Sequence, residues 1–360
     1  MLECIEIDHV EFFVEDAGYW RQQFCQLWGL QDYGIRRQAD TLSYWLGQGS
    51  VHVVVSQALR ETSSVATFLS QYAEGVADVV VRIRDTQAAA HHLANLGISW
   101  QWADPTQFGP TALHIPIPDA AGGLRHTLIP RPQSLAQCVA AGIPIGPDFE
   151  WIAPGERLSS SPTEPRWSHL DHVVLNGPVG SLAGLQNWYE TVMNWQVLYR
   201  YRIGTQRSGL DSVVVGTQDS SIQLALNEPI GVDSQIQDFL DANHGIGIQH
   251  IALATPDILS TIQTLVRRGI PFLPAPAQQA VDPVSQALAA LGILVDRPDP
   301  SQPEQQVLQI FTQPLFGDPT FFFEIIQRVQ NAQGFGETNF QSLFDAMEDQ
   351  QRLRQKFEKQ

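Results

Sequence analysis

The sequence predicts an α+β chain of four βαβββ modules, paired into two tandem half-open β-barrel domains. Three observations lead there. The stretch Ile7 to Asp16, "IDHVEFFVED", is echoed by Leu170 to Pro178, "LDHVVLNGP". Each echo runs into a segment of helical spacing and then into short strand-like stretches, so both halves read β, α, β, β, β. A second pair of units, "GVADVVVRIRDTQ" and "GIQHIALATPDIL", superposes without a gap, setting Asp85 on Asp257 and Gly97 on Gly269.

The elements follow in order. In the first module the helix is "GYWRQQFCQLWGL" and the strands are "TLSYWLGQGSVHVVVSQ". In the second, Asp85 supplies a helix N-cap and Gly97 its C-terminal stop. The third repeats the first, with "LQNWYETVMNW" and then "DSVVVGTQDSSIQLALNEP". The fourth repeats the second, and its helix carries Ile258, Ile262, Leu265 and Val266 at the spacing of one buried stripe. A chain of 360 residues is also too long for one core, since single cores rarely exceed roughly 250 residues. The expected division is a first domain over 1–135 without metal, a linker over 136–166 rich in Pro, Gly and Ser, and a second, catalytic domain over 167–360.

Composition excludes several functions. A net charge of −17 with no basic stripe disfavours nucleic acid and anionic membrane. Cys4, Cys25 and Cys138 have no CxxC spacing, so they read as thiols of a reducing compartment. The first residues lack a basic or apolar leader, and no apolar run approaches 18 residues, so a cytoplasmic location is expected.

The segment "FFFEIIQR", Phe321 to Arg328, sets Glu324 among apolar residues. A lone buried carboxylate costs several kcal/mol unless a cation, a proton or donors lie nearby. Strand alternation gives Phe322, Glu324 and Ile326 one face and Phe321, Phe323 and Ile325 the other, without saying which face is inward. The repeat provides an internal control. His172 aligns with His9, but His250 falls on Asp78 and Glu324 on about Thr127, so only the second half has two histidines and a carboxylate at these places. Two imidazoles and one carboxylate suit a facial triad at Fe(II) with open positions. A single strand histidine is more often a hydrogen-bonded core residue, and Glu324 could instead pair with Arg328.

"LDHVVLN", "GIQHIAL", "LQIFTQP", "PTFFFEIIQR" and "GFGETNFQSLFDAMEDQQ" resemble the 4-hydroxyphenylpyruvate dioxygenases of the vicinal-oxygen-chelate, or glyoxalase-like, superfamily. The resemblance covers nearly the whole second domain and implies Fe(II) on His172, His250 and Glu324. It further implies conversion of 4-hydroxyphenylpyruvate and O2 to homogentisate and CO2, by oxidative decarboxylation, ring hydroxylation and side-chain migration. No separate 2-oxo acid is needed, and a homo-oligomer, dimer or tetramer, is expected. Carried over residue by residue, Gln309, Phe311 and Asn339 take catalytic places, and Ser212, Asn227, Gln235, Gln249, Phe322, Phe335 and Phe340 line the substrate. Alternation would point Gln249 away from its neighbour His250. Phe340, Leu343, Phe344 and Met347 fit an amphipathic helix that would close over the site. The competing readings are a 4-hydroxymandelate synthase acting on the same substrate, an extradiol ring-cleaving dioxygenase, and a non-catalytic binding protein of the same superfamily.

Overall fold

In the computed structural model, residues 2–109, 111–120, 123–146, 148–158, 165–204, 208–231, 234–276 and 282–341 are described. The expected closing helix beyond Gln341 therefore lies outside the described residues, with Leu343, Phe344 and Met347.

The first and third modules have the predicted order, and the second and fourth each add one helix to it. The first is β1 (Cys4–Phe13), α1 (Ala17–Gln26), β2 (Gln31–Arg37), β3 (Thr41–Gln48) and β4 (Val51–Ala58), followed by the short helix α2 (Ser64–Leu69). The second is β5 (Gly75–Ile83), α3 (Thr86–Asn95), β6 (Gln101–Trp102), α4 (Pro105–Phe108), β7 (Leu113–Pro116) and β8 (Arg125–Ile129). Helix α5 (Leu135–Ala141) and strand β9 (Glu150–Trp151) lie in the Pro- and Gly-rich stretch that follows, and β9 adds to the edge of β2. The third module is β10 (Leu170–Asn176), α6 (Leu182–Val192), β11 (Gln196–Gly204), β12 (Ser208–Gly216) and β13 (Gln223–Gly231), followed by α7 (Gln235–Asn243). The fourth is β14 (Gly247–Ala254), α8 (Ile258–Arg267), α9 (Pro283–Ala290), β15 (Leu294–Asp296), β16 (Gln306–Phe311) and β17 (Phe322–Val329).

The strands form two curled sheets. One has the order β6-β7-β8-β5-β1-β4-β3-β2-β9 and the other β11-β12-β13-β10-β14-β17-β16-β15. In both, the first strands of two modules pair antiparallel at the centre, each flanked by a parallel last strand. The helix signals hold: Asp85 accepts from the amides of Gln87 and Ala88, Asp257 accepts from Ser260, and Gly97 and Gly269 follow their helices at φ 67° and 91°. One expectation fails. Val266 is half exposed, and Thr261 and Thr264 are buried beside Ile258, Ile262 and Leu265 instead, because the buried stripe is turned toward the threonine side of the helix and leaves Val266 beyond its edge.

The two faces of β17 separate the two tasks of "FFFEIIQR". Phe321, Phe323 and Ile325 enter a core shared by both sheets, where Phe321 meets Phe12 edge-on at 5.1 Å and Phe323 meets Trp28 at 4.6 Å. Phe322, Glu324 and Ile326 consequently face the concave side of the second sheet. No helix among the described residues is long and apolar enough to cross a membrane.

Candidate metal centre

His172 on β10, His250 on β14 and Glu324 on β17 come from three adjacent strands. Ala252 is the cross-strand partner of both His172 and Glu324, and Val174 is that of His250, so the three side chains sit within one strand step of each other. Their candidate ligand atoms all lie within 4.8 Å of one another, and all three residues are fully buried. Nε2 of His172 and of His250 stand 3.4 and 3.7 Å from Glu324 Oε2, and none of these three atoms makes a hydrogen bond. Buried polar atoms are almost always satisfied, so three orphans aimed at one point mark a place for a cation. The donor set, two nitrogens and one oxygen, is the one a facial-triad metal takes.

β-Bulges orient both imidazoles. The β10–β14 register skips Asp171 on one strand and Gln249 on the other, and each skipped residue directly precedes a histidine. At a bulge alternation breaks, so the residue before the histidine can turn toward it. Asp171 Oδ1 accepts from His172 Nδ1 at 2.8 Å, and Gln249 Oε1 accepts from His250 Nδ1 at 3.3 Å. This corrects the expectation that Gln249 points away: the bulge puts it beside the imidazole. A partner on Nδ1 fixes the tautomer and leaves Nε2 for a metal.

The charges agree with that geometry. Burial disfavours an imidazolium at His172, but the carboxylates of Glu324 and Asp171 outweigh it and raise its pKa to about 9. His250 is pushed well below the usual range by burial and by His172. Asp171 is also buried, yet hydrogen bonds from Arg328 and His172 hold its carboxyl well below the usual carboxylate range. Arg328, weighed as a partner for Glu324, pairs with Asp171 through Nε and Nη2, each at 2.8 Å.

Aromatic rings wall the centre. Phe322 stacks on His250 at 4.7 Å and 16°, Phe340 lies 5.8 Å from it, and Phe311 meets it edge-on at 6.5 Å. Phe335 packs on His172 at 4.6 Å. Gln309 shares the Glu324 face, as parity required, but its amide is already engaged: Nε2 donates to Glu324 Oε1 at 2.8 Å and to the Phe335 carbonyl at 3.0 Å, and Oε1 accepts from Asn339 Nδ2 at 2.8 Å. Ser212 and Asn227 are cross-strand partners, and the row continues to Tyr201 on one side and Asn176 on the other. Asn227 Nδ2 donates to Asn176 Oδ1 at 3.2 Å, while Asn227 Oδ1 and Asn176 Nδ2 stay unpaired in the interior. Gln235, at the start of α7, borders a cavity of about 550 Å³ together with Gln249 and Phe322.

Sequence reasoning missed Asp171, Tyr201 and Asn176. Asp171 carried a signal, because both "IDHV" and "LDHV" keep an aspartate before the histidine. Tyr201 and Asn176 became visible only through strand register.

The first sheet shows what the same frame does without a ligand set. His9 pairs with Val80 as His172 pairs with Ala252, and Thr127 pairs with Val80 as Glu324 pairs with Ala252, which makes His9, Asp78 and Thr127 the positional equivalents. There Asp78 bonds the Thr127 amide and hydroxyl and takes Arg125 Nε at 2.6 Å, so these two equivalents satisfy each other, while His9 Nδ1 bonds Asp8.

A profile of the glyoxalase/bleomycin resistance protein/dioxygenase superfamily matches residues 171–285. The chain is 30% identical over 384 residues to a 4-hydroxyphenylpyruvate dioxygenase of Caenorhabditis briggsae, spanning 97% of this chain and 93% of that one. It is 30% identical over 377 residues to that of Dictyostelium discoideum, spanning 96% and 98%. An uncharacterized protein of Synechocystis is 30% identical over 364 residues, spanning 96% and 97%. Among solved structures, a triple mutant of 4-hydroxymandelate synthase from Streptomyces coelicolor shares the fold, with a TM-score of 0.81 at 24% identity over 98% of this chain and all of that one. Full-length likeness to the two dioxygenases, on a frame that gathers two histidines and a glutamate, makes this chain a member of the 4-hydroxyphenylpyruvate dioxygenase family.

Proposed function

We propose that the protein is an Fe(II)-dependent dioxygenase that converts 4-hydroxyphenylpyruvate and O2 to homogentisate and CO2. The observation that carries this reading is the buried His172, His250 and Glu324 set with its three unpaired ligand atoms. Bound there, iron would supply O2 activation and the oxidative loss of CO2 from a chelated 2-oxo acid.

The chain's own residues hold, orient and exclude. Asp171 and Gln249 fix the imidazoles through Nδ1, and Gln309 holds Glu324 by one oxygen while leaving the other toward the histidines. Phe311, Phe322, Phe335 and Phe340 supply flat walls for an aromatic ring and keep water from the ligands. Ser212, Asn227 and their row partners offer hydroxyl and amide groups suited to a phenol at the far end of the ring. The cavity bordered by Gln235 and Gln249 supports a route to the centre between α7 and the loop before β17.

The test is anaerobic Fe(II) loading with 4-hydroxyphenylpyruvate, admission of O2, and chromatography of the product. Homogentisate is expected as the main product. Dominant 4-hydroxymandelate would overturn the product assignment but leave the metal centre standing. Because ring tilt decides between the two, Phe311→Ile and Phe335→Ile are each expected to divert part of the flux to 4-hydroxymandelate or 4-hydroxyphenylacetate. An unchanged product ratio in both would mean that these walls do not set the tilt.

A further inference from the structure

The segment after β17 is tied to the ligand set at two points. Gln309 is one, through Glu324, the Phe335 carbonyl and Asn339. Arg328 is the other. Its Nε and Nη2 grip Asp171, the partner of His172, while Nη1 donates to the carbonyls of Ala332 at 3.1 Å and Gly334 at 2.7 Å. One guanidinium thus spans from the group that orients a ligand imidazole to the turn that carries Phe335 and Phe340 into the site. That turn is conformationally particular: Gln330, Asn331, Gly334 and Gly336 all have positive φ.

The first sheet provides the comparison. Arg131 stands four residues beyond Thr127 as Arg328 stands four beyond Glu324. It grips Asp8 at 3.0 and 3.4 Å, and Asp8 in turn holds His9 Nδ1 at 2.8 Å. The line from guanidinium to carboxylate to imidazole therefore belongs to the module and does not by itself imply a metal. The difference lies on the far side of the guanidinium. Among the described residues Arg131 donates to Asp8 alone, whereas Arg328 also holds the backbone of the 332–340 segment.

We propose that Arg328 is a positioning residue that couples seating of the 332–340 segment to the orientation of His172. The proposal rests on reading the second sheet as a metal centre. Asp171 sits on a bulge, where the ladder does not fix it, so the two-pronged grip of Arg328 sets its carboxylate plane and hence the imidazole. When the segment leaves, Nη1 loses both acceptors and the planar fork is free to turn. Linkage makes the effect reciprocal: metal that favours the seated arrangement holds the segment down by the same factor by which seating raises metal affinity.

Co(II) is the probe, measured by its visible absorption and by chelator competition in the full-length protein without substrate. Chymotryptic cleavage after Phe335 and Phe340, identified by mass spectrometry, reports the segment. In the unmodified protein Co(II) is expected to slow that cleavage. Arg328→Lys keeps the charge but cannot reach both sides. It is expected to lose at least about tenfold in Co(II) affinity, a loss typical when a ligand's hydrogen-bond partner is disturbed, and to lose the protection. Arg131→Lys makes the same change in the first sheet and should alter neither readout. Asp171→Asn, which keeps volume and one acceptor, is the second variant should Arg328→Lys not fold, and it is expected to give the same two losses. The coupling is overturned if Arg328→Lys binds Co(II) within about twofold of the unmodified protein with protection intact, or if Arg131→Lys reproduces its losses. A protein that takes up neither Co(II) nor Fe(II) would instead overturn the metal reading, and the coupling with it.

Discussion

Asp171 and Gln249 show how much a single bulged residue can decide. In a regular strand each would point opposite to the histidine after it, and neither imidazole would have its Nδ1 partner. The equivalent bulges in the first sheet fall on Asp8 and Ala77, so the frame is common to both halves and the side chain placed on it differs. Replacing His250 with Ala is expected to abolish stoichiometric metal binding and leave a folded protein, since the first sheet folds with Asp78 at that place. Metal content after gel filtration measures this, and one metal per chain retained by His250→Ala would sink the assignment. His52 supports a different prediction. Burial holds its pKa down to about 4, against the Gly49 carbonyl, which accepts from Nε2 at 3.0 Å; Nδ1 accepts from Trp45 Nε1 at 3.2 Å, which only the neutral ring can do. With the unfolded value at 6.5, the unfolded chain binds the proton first as pH falls, so stability is lost between pH 6.5 and about 4. The loss for this residue is on the order of 3 kcal/mol. Denaturant midpoints across that range should fall less steeply in His52→Gln, and an identical slope would rule out this origin.

At the scale of elements, β17 and the turn after it do most to assemble the site. One face of β17 gives Phe322 and Glu324 to the centre, and the other gives Phe321, Phe323 and Ile325 to the shared core, so the strand cannot slip without exposing one set. The turn needs Gly336 in particular. Its φ is 68°, and a Cβ there would meet the Gln309 side-chain amide. Gly336→Ala should therefore displace either Gln309 or the Phe335 carbonyl. Displacements near one ångström can cost about a hundredfold in rate, so turnover is expected to drop at least about tenfold. The melting temperature should change by only a few degrees, because Ala332, Phe335 and Phe340 pack in small clusters around the site and not in the core shared by the two sheets. Normal turnover would mean that the turn and Gln309 are not coupled.

The whole molecule is two similar half-barrels joined by one apolar core. Phe12, Phe24 and Trp28 of the first half interlock with Phe316, Phe321 and Phe323 of the second, and His126 Nε2 bonds the Tyr189 hydroxyl at 2.9 Å across the same boundary. With the core continuous, the two sheets are expected to unfold in one transition. Phe323→Ala, which opens a cavity at the junction, should cost about 3–5 kcal/mol. Two separated transitions in the unmodified protein would show that each sheet is stable alone.

The sequence by itself determined the four modules and the helix caps, and it singled out His172, His250 and Glu324, which the fold brings together, because repetition, periodicity and the contrast between halves are written in local residue order. Periodicity places Val266 in the buried stripe for the same local reason, and its exposure shows where periodicity stops. Tertiary structure alone decided which face of "FFFEIIQR" looks inward, that Gln249 turns to His250, that Arg328 serves Asp171 rather than Glu324, and that Tyr201 and Asn176 extend the row of Ser212 and Asn227. Each of these depends on which strand lies alongside and where a register skips by one residue. Spacing along one strand carries no information about either, because pairing partners are dozens of residues apart and a bulge changes the direction of side chains without changing their identity.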